Sequence, residues 1–304
     1  MLRTLLLLVA RGPAAARGNR SRAAEHFTAE ARKLVALALE TMSKSAAAVP
    51  CALAVNALPD ADLQALVDAS VSRDEVAVNA IAFLGTCRCH APLLYRLVGP
   101  VGFPLALAKL VAAEGFSGGA RARAIVCLQR LVETTREHGP PLAEWAKPIV
   151  KPLRTAFARA KGGTAPPESS VIIVGYVLFM LSADEHLITA MASGMPDFVS
   201  LVRGPSILAV HAAGIIGNLA VHPGSRAAAL REGAVPALVS LLYGKGGAST
   251  PAVKALCGED AAVEAFLALG NLSVLRLAGR HPRDGRPPAA AGHAAGGQHS
   301  QAFF

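Results

Sequence analysis

The sequence predicts an all-α protein in which short helices stack in groups of three along one array. Three observations predict it. Apolar residues recur at helical spacing along most of the 304 positions, as in Phe27, Ala31, Leu34, Ala38 and Met42. One corner occurs three times: Gly102-Phe103-Pro104 leads into LALAKLV, Gly194-Met195-Pro196 into DFVSLV, and Gly233-Ala234-Val235-Pro236 into ALVSLL. The spacing is regular, with 39 positions from Gly194 to Gly233 and 40 from Pro196 to Pro236, a period that belongs to helical repeat arrays. Composition agrees, because 53% hydrophobic residues with only 5% aromatic make a core of small aliphatic side chains on which helices approach closely.

Residues 1–23 form a basic leader. Arg3, Arg11, Arg17, Arg20 and Arg22 precede the first acid, Glu25, which is the composition of an organellar transit peptide. A secretory signal fits less well, since Arg11 cuts the apolar run from Leu5 to Ala10 short of the usual ~7 to 15 residues. The expected location is intracellular: cytoplasmic, or mitochondrial or plastid if the leader is a transit peptide.

The helical array is expected over 24–278. It opens with an amphipathic helix from Ala24 to Ala47, followed by Pro50 and short pieces in which Asp60 and Asp62 stand at a helix start. Carboxylates there oppose the positive end of the helix dipole. This part reads as a divergent first repeat or a cap. Arg73 to Val111 is the first full unit, with a long helix holding Val76, Ala80, Phe83 and Leu84, a short one over Leu93 to Leu97, and the Gly102 corner. The middle unit begins with the helix GGARARAIVCLQRLVETTREHG. Pro148 and Pro152 then predict a kinked connection and a helix beginning near Pro152, because one uninterrupted helix does not accommodate both. The loop KGGTAPPESS resets the chain.

Val171 to Val202 supplies the next unit, and His211 to Leu242 the clearest one. There a helix ends in Gly217-Asn218-Leu219-Ala220, a short helix covers about Ser225 to Glu232, Gly233 stops it in the left-handed conformation, and Pro236 opens the third. Asn218 to Asn271 is 53 positions, so about 13 residues are inserted into a repeat of about 40. LYGKGGASTPAVKALCGED supplies them, in a loop where added length costs little. The last unit reaches AAVEAFLALGNLSV, and 279–304, rich in Pro, Gly, Ala, His and Arg without periodicity, is expected to be disordered. An array ending on a helix without its two companions reads either as a face left to another molecule or, the preferred reading because a bare repeat end exposes a large apolar surface, as a fragment or mis-spliced piece of a longer repeat protein.

The order of parts, HAAGIIGNLA followed by a short helix, Glu232-Gly233 and then PALVSLL, resembles an armadillo repeat, in which a helix with the pattern A-L-x-N-L-A is followed by a short helix, E-x-G and P-x-L-V-x-L-L. The pattern is similar to that of vacuolar armadillo proteins, β-catenin and importin-α. That resemblance implies a right-handed α-solenoid of about five three-helix repeats. It also implies a non-catalytic scaffold or adaptor that binds an extended segment of a partner protein in a concave groove. In importin-α and β-catenin the third helix of each unit lines the groove and its asparagine bonds the peptide backbone; the resemblance carries this role to Asn218 and Asn271. The tryptophan that importin-α places four residues earlier is replaced by Gly214 and Leu267, and the sole tryptophan, Trp145, lies elsewhere. Import-receptor activity is therefore not implied. From the residues alone, both asparagines read equally as side chains that tie adjacent turns together.

The folded part keeps a milder basic surplus between Arg121 and Lys161, in which Lys147, Lys151 and Arg154, with Arg159 and Lys161, are readable as a patch for an acidic ligand or as a solvated helix face. Net charge is +9, but much of it is terminal, and the run lacks the aromatic platform of single-strand nucleic-acid binders. A nucleic-acid-binding solenoid would need a continuous basic stripe. A substrate-recruiting fragment of a larger ubiquitin-ligase-type protein is the other alternative, since the resemblance extends to plant armadillo proteins that carry a U-box; nothing in this chain looks like that domain.

Catalytic constellations are missing. Gly244-Lys245-Gly246-Gly247 lacks phosphate-loop spacing, and Gly115-Phe116-Ser117-Gly118-Gly119 matches a nucleophile elbow but follows a helix rather than a strand. His186, His211 and His222 have no ligand spacing, and Cys87-Arg88-Cys89-His90 lacks the two-residue gap of zinc sites. The five cysteines read as free thiols. No enzyme activity, cofactor, metal or small-molecule substrate is expected. No membrane span is expected either: the longest apolar run, Val171 to Leu181, is about half of the ~20 residues a span requires.

Overall fold

The computed structural model describes residues 34–42, 48–71, 75–86, 90–113, 118–159, 169–203, 208–243 and 263–273. The chain divides into two units, Met1–Leu272 and Ser273–Phe304, and the helical array belongs to the first. The leader 1–23, the tail 279–304, the Cys87–Cys89 cluster, Gly115–Ser117 and the 244–247 loop lie outside the described residues.

Among the described residues every regular element is helical. In order they are α1 (34–42), α2 (Ala48–Asn56), α3 (Asp60–Ser70), α4 (Glu75–Thr86), α5 (Ala91–Val98), α6 (Phe103–Ala112), α7 (Gly118–His138), α8 (Leu142–Trp145), α9 (Lys147–Ala158), α10 (Ser169–Ser182), α11 (Ile188–Ala192), α12 (Met195–Val202), α13 (Leu208–Ala220), α14 (Pro223–Arg231), α15 (Ala234–Leu242) and α16 (Val263–Ser273).

Contacts repeat every third helix. α3, α6, α9, α12 and α15 form one row, each packed on the next, while α4, α7, α10 and α13 form a second, which α16 extends. In the remaining row α2 meets α5 and α11 meets α14. Each repeat thus buries its apolar faces against the repeats before and after it, the quasi-one-dimensional arrangement of a solenoid. The largest fully buried side chains include Phe83, Phe103, Phe157 and Phe198, and the rings of Phe157 on α9 and Phe198 on α12 lie 6.4 Å apart across a repeat boundary. α13 is buried almost all round, as its nearly unbroken apolar text requires.

The corners form as the sequence dictates, with one exception. Gly102 and Gly233 take φ of 63° and 78°, conformations that side chains resist, and open α6 and α15. Gly194 opens α12 with φ −96°, so left-handedness is not its reason for being glycine. Asp60 and Asp62 occupy the first turn of α3 as expected. The prediction of a kink before Pro152 is corrected: α9 begins at Lys147, Pro148 takes the first turn where no backbone donor is needed, and Pro152 sits inside the same helix.

Candidate partner-binding surface

Asn218 and Asn271 lie one repeat apart on the row formed by α4, α7, α10, α13 and α16. Each sends its amide back to the preceding helix of that row. Asn218 Nδ2 donates to Ser182 Oγ at 2.9 Å, and the Ser182 hydroxyl in turn donates to the Phe179 carbonyl at 2.7 Å. Asn271 Nδ2 donates to the Gly217 carbonyl, also at 2.9 Å. The two helices meet closely at this bond: a Cβ on Gly217 would lie 3.4 Å from the Ala268 backbone, in van der Waals contact. Both asparagines therefore link repeats. Both are also half-buried rather than sealed, and a primary amide has more than one donor and acceptor site to offer.

Around them the row presents half-buried Ile173, Tyr176, Phe179 and His211. A Cβ on Gly214 would stand 2.7 Å from the Phe179 ring and 2.9 Å from Glu264 Oε2, so these two groups close over the position where a tryptophan pocket would have to be built. His211 meets Tyr176 edge-on with ring centroids 6.2 Å apart, and burial pulls its imidazole below the ordinary value of 6.5.

The basic run sits elsewhere. Lys147 and Lys151 are exposed on α9, which belongs to the row of α6 and α12, so the five residues singled out in the sequence do not converge on one site. Arg154 is half-buried and reaches into the next repeat. It donates to the Ala190 carbonyl at 3.1 Å and to Ser193 Oγ, and its guanidinium lies 3.9 Å from Asp197. Desolvation pulls the Arg154 pKa down and Asp197 acts against it.

Sequence reasoning missed what this arginine belongs to. Arg203, just after α12, donates to the carbonyls of Glu232 and Gly233 at 3.2 and 3.4 Å, and Arg96 on α5 donates to Asn56 and Leu58 carbonyls while pairing with Asp60 at 2.6 Å. All three arginines clasp the corner between two helices of a neighbouring repeat. The carbonyls left unpaired at a helix C-terminus carry partial negative charge and attract a cation. Gly194 and Gly233 lie directly under these straps: a Cβ on either would collide with Arg154 or Arg203. No common spacing announced these straps, since Arg154 precedes Gly194 by 40 positions and Arg203 precedes Gly233 by 30.

No protein-family model matches this sequence, and no curated protein matches it. Solved structures do. A designed armadillo repeat protein superposes with a TM-score of 0.54 at 17% identity, over 90% of this chain and 100% of its own. An engineered protein from a structural genomics consortium gives a TM-score of 0.55 at 20% identity, over 90% of this chain and 96% of its own. The fold is an armadillo-like repeat solenoid. Among the described residues of this armadillo-like chain, no group of three or more His, Cys, Asp or Glu could hold a metal ion, and no single helix is long and apolar enough to cross a membrane.

Proposed function

We propose that the chain is a non-catalytic scaffold or adaptor that binds an extended segment of another protein along the row of α7, α10, α13 and α16. The observation that carries this reading is the alignment, on successive helices of one row, of half-buried Tyr176, His211, Asn218 and Asn271. Neighbouring helices stand about 8–10 Å apart, and an extended chain advances about 3.3 Å per residue. Each step along the row therefore corresponds to roughly three residues of a bound strand. Amides at that interval suit its backbone, and the aromatic and apolar side chains between them suit its alternate side chains. Such recognition needs no covalent step.

Photo-crosslinking tests it. A benzophenone amino acid replacing Tyr176 is expected to label short linear segments of partner proteins, while the same group replacing Lys151 on the opposite row labels none of them. Labelling from Lys151 alone, or of folded surfaces only, overturns the proposal.

A further inference from the structure

The row formed by α4, α7, α10, α13 and α16 changes its chemistry along its length. On its open side α7 carries charges of both signs. Arg130 and Glu137 are exposed, Glu133 is half-buried and accepts a hydrogen bond from Gln129 Nε2 at 2.8 Å, and Arg123 pairs with Glu40 at 2.7 Å. The next two helices of the row, α10 and α13, contain no Asp, Glu, Lys or Arg in their 14 and 13 residues. Burial accounts for this over most of α13. It does not account for the open side of α10, where Ile172, Ile173, Tyr176 and Phe179 share one face and are only half-buried.

Charge returns on the far side of this span, where Glu264 of α16 lies beside Gly214 and the Phe179 ring. His211, between the two boundaries, adds none, because burial holds its imidazole below the ordinary value of 6.5. A charged side chain laid over Tyr176 would therefore give up water and meet no opposite charge in return. An uncharged strand has no such cost there. Alternate side chains of an extended chain point the same way, so one set of them covers the open parts of Ile173, Tyr176 and Val210 and removes these from water.

We infer that the partner segment docked on this row carries an uncharged run of roughly six residues, two helix steps long, apolar at alternate positions and centred over α10 and the adjoining side of α13. Charged residues of the segment are accepted only outside that run, towards α7 or α16. The inference rests on the docking reading proposed above and narrows the partner by its chemistry: an extended peptide with a neutral core, not the acidic ligand that Lys147 and Lys151 would attract to the other row.

Phage display against the full chain, with random peptides of about 16 residues, supplies the probes, since that length spans all five helices of the row. Selected peptides are synthesised and photo-crosslinked to the chain carrying a benzophenone amino acid at position 176, and those labelled through it are expected to contain the uncharged run. Binding to the unmodified chain is then measured by fluorescence polarisation. Replacing the central residue of the run by Lys or by Asp is expected to weaken it at least ~10-fold, and the same changes outside the run to alter it less than ~3-fold. Peptides labelled through position 176 that contain no such run, or that bind equally well with Lys or Asp at its centre, overturn this inference and leave the docking reading standing. A selection in which no peptide is labelled through position 176 overturns both.

Discussion

Arg154 was readable in the sequence as a member of a basic run and acts in the structure as a strap between repeats. Arg154→Ala removes its bonds to the Ala190 carbonyl and to Ser193 and is expected to cost about 1–3 kcal/mol, measured by urea denaturation. Lys151→Ala, on the exposed side of the same helix, is expected to cost less than about 0.5 kcal/mol. Equal losses would mean that the strap contributes nothing. Gly233→Ala meets two obstacles, a φ of 78° and Arg203 above it, so a loss of at least about 1–2 kcal/mol is expected. His211 gives the residue scale a pH dependence. Its folded pKa is lowered by burial, so below the ordinary value of 6.5 the unfolded chain takes up a proton that the folded chain refuses, and stability falls as pH falls. The melting temperature is expected to decline between about pH 7 and about pH 5, and His211→Gln to flatten that decline; an unchanged slope in the variant would refute the assignment.

At the scale of the helix, α9 shows where periodicity and local propensity disagree. Two prolines four residues apart predicted a break, yet Ile149, Val150, Leu153, Ala156 and Phe157 all face the core from one continuous helix. Burial of that stripe outweighs the carbonyl of Pro148 that Pro152 cannot bond and the crowding of its ring. Pro152→Ala is therefore expected to stabilise the protein by about 1–3 kcal/mol, read as a rise in the denaturation midpoint. A fall would show that the proline geometry is itself required by the fold. The helices with glycine corners were legible because Gly102, Gly233 and the following prolines are local signals, each sufficient to mark a stop and a start. The partners of Asn218 and Asn271 were not. Ser182 precedes Asn218 by 36 positions and Gly217 precedes Asn271 by 54, and only the stacking of whole repeats brings such positions together. For the same reason Gly194 resembled its counterparts in text while serving a different purpose, room for an arginine from another repeat.

For the whole molecule, helix packing among the described residues runs chiefly to the preceding and following repeats, with the Arg123–Glu40 ion pair between α7 and α1 reaching further, and this predicts how damage spreads. Gly217 joins α13 to α16 through the close approach of Ala268 and through the carbonyl that receives Asn271. Gly217→Leu places a branched side chain in that contact, where the neighbouring backbone cannot give way without separating the helices. If the array behaves as a chain of nearest-neighbour interfaces, the loss stays local. Hydrogen exchange read by mass spectrometry is then expected to accelerate sharply over 263–273 and moderately over 208–220, while 75–86 and 118–138, two or more helices away along the row, keep their protection. Uniform acceleration across all four segments would instead show that the repeats unfold as one cooperative body, in which the straps of Arg96, Arg154 and Arg203 couple distant corners more strongly than stacking alone allows. The segment-resolved pattern thus measures how far a ligand held by α13 and α16 could transmit its binding along the array.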